Sequence, residues 1–183
     1  MRVIGGTSRG RRLSAPTPAD VRPTSDRVRE SIFDILGSMG GVDGLVVADL
    51  FCGTGALGIE ALSRGAASVT FVDRSAAALA AVSANLGAVG LGHAPVQVTR
   101  AELPGWLAGA PRFDLALCDP PYAFADWTGL LGLLRADLAV VESGAPVALP
   151  ASWVVAKSRR YGGTLVTVAQ PLAPQSPGEV TDR

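Results

Sequence analysis

The stretch from Asp49 to Glu60, Asp-Leu-Phe-Cys-Gly-Thr-Gly-Ala-Leu-Gly-Ile-Glu, constrains the fold of this chain more than any other. It follows an apolar run, Leu45-Val46-Val47-Ala48, that reads as a buried parallel strand, and it leads into a helical pattern over Ala56 to Ser63. Strand, glycine turn and helix in that order predict a turn that presents bare backbone to a ligand. Gly53 and Gly55 lack the Cβ that would block such an approach, and both can take positive φ.

The glycines alone do not choose the ligand. Gly53, Gly55 and Gly58 satisfy G-x-G-x-x-G, and Asp73 follows at the spacing of a ribose-binding acid, so this much fits a dinucleotide fingerprint. Asp49 argues against it. A carboxylate just ahead of the loop repels a pyrophosphate but attracts a phosphate-free cofactor that carries an ammonium and a sulfonium. S-adenosylmethionine is such a cofactor. The alternative for Asp49 is a solvated residue at a strand end.

After the glycine loop, strand and helix patterns alternate. Val69 to Asp73 reads as a strand and Ser75 to Leu86 as a helix with Leu79, Val82 and Leu86 inward. Val96 to Thr99 precedes a further helical segment, Ala101 to Leu107, and Asp114 to Cys118 is the next strand. Such alternation requires right-handed crossovers and a mainly parallel sheet covered on both faces. Leu138 to Glu142, Trp153 to Lys157 and Thr164 to Ala169 add strands, the last two close enough in sequence to form an antiparallel hairpin at the sheet edge. Upstream, Arg22-Pro23-Thr24 opens a helix with Thr24 as N-cap, and Val28, Ile32, Ile35, Leu36 and Met39 share its inner face. Arg22, Arg27 and Arg29 are left to meet phosphates or nearby acids. The expected fold is α/β: a Rossmann-like, seven-stranded, mostly parallel sheet with an antiparallel last strand, preceded by a small N-terminal β-hairpin.

At 183 residues, with 48% hydrophobic and 17% charged residues, the chain suits one well-buried domain. The expected division is a basic hairpin and linker (1–21), a main domain with its leading helix (22–170) and a disordered tail (171–183). The uncharged run from Ser75 to Thr99 is interrupted by Asn85, Gly87, Gly90, Gly92 and Pro95, which argues against a membrane span. The first residues hold no apolar signal segment, so a cytoplasmic protein is expected. Cys52, Cys118 and His93 are too few for a disulfide scaffold or a metal centre, and the cysteines read as small apolar fillers. The formal net charge is +0, yet the first thirty residues carry seven arginines against three acids. That asymmetry points to a polyanion, with Arg9, Arg11 and Arg12 on the hairpin as RNA contacts. A solvated terminus is the alternative.

Asp119-Pro120-Pro121-Tyr122 closes the fourth strand at its carboxyl end, the side on which open parallel sheets bind ligands. The tetrapeptide suits methyl transfer to an exocyclic amine of a base. The Asp119 carboxylate and the Pro120 carbonyl can each accept an N–H, holding the nitrogen near tetrahedral with its lone pair aimed at the methyl group. Pro120 offers no competing N–H, and Tyr122 can stack on the base. Positioning then does most of the work. In isolation the same residues would make only a rigid turn; their order after Asp49, the glycine loop and Asp73 favours chemistry.

Four stretches together resemble the RsmD family of S-adenosylmethionine-dependent methyltransferases, which act on a guanine N2 in small-subunit (16S) ribosomal RNA. They are Met1 to Gly6 with Arg9 to Leu13, Arg22 to Glu30, Asp49 to Glu60, and Asp119 to Tyr122. The resemblance implies the class I methyltransferase fold, with Asp49, Gly53 and Gly55 at the methionine end of the cofactor. It implies Asp73 on the ribose, Ala101 near the adenine, and Asp119, Pro120 and Tyr122 on the guanine amine. Arg9, Arg11, Arg12, Arg22 and Arg27 are the expected RNA contacts. Arg100 stands where the family pattern carries a small polar residue. The implied partner is 16S rRNA, naked or in an assembling small subunit, and the protein is expected to be a monomer. Other readings remain. A DNA adenine or cytosine amino-methyltransferase shares the last two motifs but needs a recognition domain for which there is no room. A nicotinamide-dependent oxidoreductase fits the glycines alone. A non-catalytic RNA-binding assembly factor would keep the fold without needing Asp119 to Tyr122.

Overall fold

The computed structural model describes residues 1–14 and 26–172. The first helix, α1 (Asp26–Gly37), leads into strand β1 (Val46–Leu50) and helix α2 (Ala56–Ser63). Strand β2 (Ser68–Asp73), helix α3 (Ala76–Ala88) and strand β3 (Val96–Arg100) repeat the unit. A 3-10 turn (Gly105–Gly109) precedes β4 (Phe113–Cys118), α4 (Trp127–Leu133) and β5 (Ala136–Ser143). Strands β6 (Trp153–Tyr161) and β7 (Thr164–Pro171) finish the sheet.

The strand order is β3-β2-β1-β4-β5-β7-β6. β1 to β5 run parallel, and β7 inserts antiparallel between β5 and β6. This is the expected seven-stranded α/β sheet, with the hairpin at its edge. One face packs α1, α2 and α3 through Ile32, Leu36, Ile59 and Val82 onto Val47, Val69, Leu115 and Leu117. The other packs α4 and the 3-10 turn through Leu130, Leu131 and Leu107 onto Ala48, Val72 and Ala116. Trp153 locks that face by donating its indole N–H to the Leu131 carbonyl at 2.9 Å.

The structure departs from several local expectations. The segment after β3 forms only a 3-10 turn, later than the expected Ala101 to Leu107 helix. Pro104 and Gly105 account for this: proline supplies no amide hydrogen and disfavours helix in the residue before it, and glycine lowers the helical preference of its own position. In α1, Val28, Ile32, Ile35 and Leu36 are buried as expected, but Met39 lies beyond the helix and is exposed. The helix instead buries Phe33 and Arg29. Helix α4 is not among the elements that the sequence pattern predicts. Its seven residues include Gly129 and Gly132, and Asp126 starts it by accepting the Gly129 amide at 3.0 Å. The expected Thr24 cap lies outside the described residues. Among the described residues, no helix is long and apolar enough to cross a membrane.

Candidate active site

The first four strands end level with one another. Leu50 stands opposite Val72 on one side and Cys118 on the other, and Asp73 stands opposite Arg100. Their outgoing loops therefore meet at one edge. The chain reverses its direction of travel across the sheet between β1 and β4, which opens the crevice that α/β folds use for ligands.

Within the glycine loop, the three glycines do different work. Gly53 has φ 53° and open space where a Cβ would stand, the nearest atom being the Phe51 carbonyl at 4.0 Å. A ligand can approach it. Gly55, at φ 76°, faces protein: a Cβ there would stand 3.0 Å from Val82 and 3.2 Å from the Phe71 ring. Gly58 lets α2 close onto the sheet, since a Cβ would drive into the Phe71 ring and come within 2.9 Å of Asp49 Oδ2. Phe51 also takes a positive φ of 58°, an uncommon conformation for an aromatic residue.

Carboxylates gather beneath this loop. Asp49 is buried, and its Oδ2 accepts the Gly58 amide at 2.8 Å. Burial pushes its pKa well above the ordinary carboxylate value, the Gly58 bond offsets part of that, and the charges of Asp119 and Asp73 raise it further. Asp73 accepts the Gly53 amide on Oδ2 at 3.0 Å and the Ser75 amide on Oδ1 at 2.8 Å. Ala101 donates its amide to the Asp73 carbonyl at 3.1 Å, which seats the end of β3 beside that carboxylate. Among the described residues, no basic side chain pairs with Asp49 or Asp73. Arg100 does not fill the gap; its Nε donates to the Arg74 carbonyl at 3.0 Å. Cys52 and Cys118 are buried beside the acids, and burial, with the Asp49 charge next, pushes both thiols up, so they stay protonated fillers.

On the other side of β1, Asp119 to Tyr122 leave β4. Pro120 is buried, while Tyr122 is 69% exposed and its ring comes close to Gly144. Phe124, whose amide bonds the Pro121 carbonyl at 2.8 Å, sets its ring 5.1 Å from Phe51 and 5.1 Å from Trp127. This aromatic run joins the glycine loop to the Asp119 loop, a link the sequence did not reveal.

Known proteins resemble this chain in sequence and fold. A family profile described as "Conserved hypothetical protein 95" matches residues 1–170. The chain is 34% identical over 175 residues to ribosomal RNA small subunit methyltransferase D of Escherichia coli, covering 88% of this chain and 85% of that protein. The chain belongs to the RsmD family. A putative rRNA methyltransferase of Bacillus subtilis, YlbH, is 42% identical over 152 residues, covering 81% of each chain. The solved structure of the putative methyltransferase yhhF from Escherichia coli superposes with a TM-score of 0.81 at 31% identity, covering 94% of this chain and 98% of that one.

In this RsmD-family chain the N-terminal segment is sewn onto α2. It closes through one antiparallel bridge, Arg2 to Arg12, with Val3 and Leu13 buried in the main core. Glu60, wholly buried, accepts the Ile4 amide at 2.8 Å and the Gly5 amide at 2.7 Å. The same carboxylate takes Arg64 Nε at 2.8 Å and lies 3.7 Å from Arg29 Nε. Arg29 is therefore no phosphate contact: it is fully buried, pairs with Asp26 at 3.0 Å and donates to the Arg2 carbonyl. The side chains of Arg9, Arg11, Arg12 and Arg27 are exposed. Arg9 and Arg27 line one hollow of about 280 Å³ with Arg2, Asp26 and Glu30. Arg22 lies outside the described residues.

In the sequence Asn85 only interrupts an uncharged run; in the structure it is a clamp. Its Oδ1 accepts the Ser14 amide at 2.8 Å, while its Nδ2 donates to the carbonyls of Ser14 and Thr54, each at 3.0 Å. A single buried amide thus ties the end of the basic segment to the glycine loop.

Proposed function

We propose that this protein transfers a methyl group from S-adenosylmethionine to the exocyclic N2 amine of a guanine in small-subunit ribosomal RNA. The observation that carries the cofactor reading is the gathering of carboxylates around a glycine loop with no basic side chain among the described residues to pair Asp49 or Asp73. Such a crevice repels a pyrophosphate and favours a cation. Gly53 leaves the open backbone that a ligand needs, so the residues present fit this cofactor. The substrate reading rests on membership of a family whose relatives are named for small-subunit rRNA, and on the base-accepting chemistry of Asp119 to Tyr122.

When bound, the cofactor supplies an electrophilic methyl group on a sulfonium. Gly53 would hold its methionine end through open backbone, with Asp49 and Gly55 behind the loop, Asp73 would accept from the ribose, and Ala101 would border the adenine. Asp119 and the Pro120 carbonyl accept the two N–H bonds of the guanine amine and turn its lone pair out of conjugation with the ring. Tyr122 covers the face of the extruded base. A strong general base is unnecessary, because the nitrogen becomes acidic only as its new bond to carbon forms.

The test is to titrate the protein with S-adenosylmethionine and with NAD, then assay methyl transfer to small-subunit rRNA and to assembling subunits. S-adenosylmethionine should bind, NAD should not, and Asp119→Ala should abolish transfer while leaving cofactor affinity within a few-fold. Near-normal transfer by Asp119→Ala would falsify the assigned role. Cofactor binding without transfer to any RNA would favour an assembly factor instead.

A further inference from the structure

We infer that the β6–β7 hairpin is a second RNA-contacting arm, with Arg160 meeting a phosphate next to the nucleotide that Tyr122 covers. The inference rests on the rRNA methyltransferase reading above, and it concerns residues which that reading does not use.

Strand register places the hairpin. At the carboxyl end of the parallel strands, Cys118 of β4 stands opposite Val141 of β5, one residue before Asp119 begins the acceptor loop. Glu142 and Ser143 of β5 then pair with Val166 and Leu165 of β7, which pair in turn with Arg159 and Arg160 of β6. The hairpin tip, Tyr161 to Thr164, therefore lies on the same edge of the sheet as Asp119 and Tyr122. Three strand spacings of about 4.8 Å separate β4 from β6, a gap of roughly 14 Å in the sheet plane. The Arg160 side chain spans part of it. Its Nη1 lies 3.4 Å from the carbonyl of Gly144, a residue that the Tyr122 ring lies near.

The charge pattern agrees. From Ser143 to Leu172 the chain carries Lys157, Arg159 and Arg160 and no carboxylate at all. All three side chains are exposed, and none of them joins an ion pair among the described residues. Lys157 is turned away, donating to Ser38 Oγ at 2.7 Å beside α1. Arg159, two residues further along the strand, leaves the same face as Lys157, whereas Arg160 leaves the other face, where among the described residues its one hydrogen bond is the long one to Gly144. The exposed Arg160 guanidinium is thus available to an anion. The nearby acceptor site is itself acidic, so RNA needs cations flanking it to bring its backbone close.

Basic residues on an edge strand also serve another purpose, preventing edge-to-edge association. The experiment separates the two. RNA affinity for a small-subunit rRNA fragment is measured over a series of salt concentrations for wild type, Arg160→Gln and Arg160→Lys. Removing one arginine–phosphate pair should flatten the logarithmic salt dependence by roughly 0.7 to 0.9. The RNA KM should rise more than kcat falls, S-adenosylmethionine affinity should stay at the wild-type value, and Arg160→Lys should keep most of the salt slope. Parallel slopes with an unchanged RNA KM overturn the inference. Self-association of Arg160→Gln with the wild-type slope retained assigns Arg160 to edge protection and overturns it equally. Wild-type protein that neither binds nor methylates RNA removes the methyltransferase reading itself, a failure visible before any variant is made.

Discussion

Asp73 Oδ2 accepts the Gly53 amide at 3.0 Å, so the acid at the end of β2 holds the one loop glycine that faces open space. The carboxylate shapes the loop, and in the proposed site its remaining lone pairs would accept from the cofactor ribose. Asp73→Ala should weaken S-adenosylmethionine binding by about 1.5 to 3 kcal/mol, the worth of hydrogen bonds to a charged acceptor. Calorimetric titration measures this, and unchanged affinity in a folded variant would take Asp73 out of the site.

Asp49 gives a prediction in pH. Its pKa is raised chiefly by burial, so its contribution to stability is complete below the unfolded carboxylate value and is lost as pH rises through the higher folded value. Without cofactor, Asp49→Asn should be more stable than wild type at neutral pH, because the amide oxygen still accepts from Gly58 with no buried charge. A cationic ligand reverses the preference. S-adenosylmethionine affinity should increase as wild-type Asp49 ionises and should be weaker and flat with pH in the variant. Melting temperatures with and without cofactor, across acidic to neutral pH, read both effects.

Tyr122 is exposed, and removing its ring should cost recognition rather than folding. Base stacking on an aromatic side chain is worth roughly 1 to 3 kcal/mol, so Tyr122→Ala should raise the RNA KM about tenfold or more and slow turnover. Tyr122→Phe keeps the ring and should be much milder. Steady-state kinetics with rRNA as the varied substrate decide the matter; an alanine variant with normal kinetics would assign the acceptor face elsewhere.

Glu60 is the anchor of the N-terminal segment. Glu60→Ala strands Arg29, which is fully buried and would keep only Asp26 as an acidic partner, and it frees the Ile4 and Gly5 amides. Breaking a buried pair in this way costs about 3 to 5 kcal/mol. Urea unfolding should show that destabilisation. A change below about 1 kcal/mol would mean that burial of Val3 and Leu13 holds the segment almost unaided.

Replacing Arg9, Arg11 and Arg12 together with alanine should leave stability close to wild type, because all three are exposed. If they contact phosphates, RNA affinity should fall and its salt dependence should flatten by roughly 0.7 to 0.9 for each phosphate they meet. Cofactor affinity is the control. Identical salt slopes would make the segment a structural clasp only.

The sequence by itself determined the succession of strands, the glycine loop with the helix that follows it, and the edge at which the strand ends gather. Apolar periodicity, the glycines at 53, 55 and 58 and the acids at 49, 73 and 119 are local features, and a parallel sheet forces the ends of its strands to one edge. Helix α4 and the 3-10 turn escaped because both are short and interrupted by Gly or Pro, so period alone could not find them. Arg29 shows the deeper limit. Its side chain follows the same local pattern as the exposed Arg27, yet it is buried because Glu60, in another helix, and the Arg2 carbonyl, at the start of the chain, meet it there. Asn85 became a clamp only when Ser14 and Thr54 were brought to it. Arg160 came to the Tyr122 side only because β7 inserts between β5 and β6 and turns the hairpin tip to the carboxyl edge. A charge or an amide in sequence carries no address; its partners are chosen by contacts between residues far apart in the chain, which exist only once the sheet has assembled.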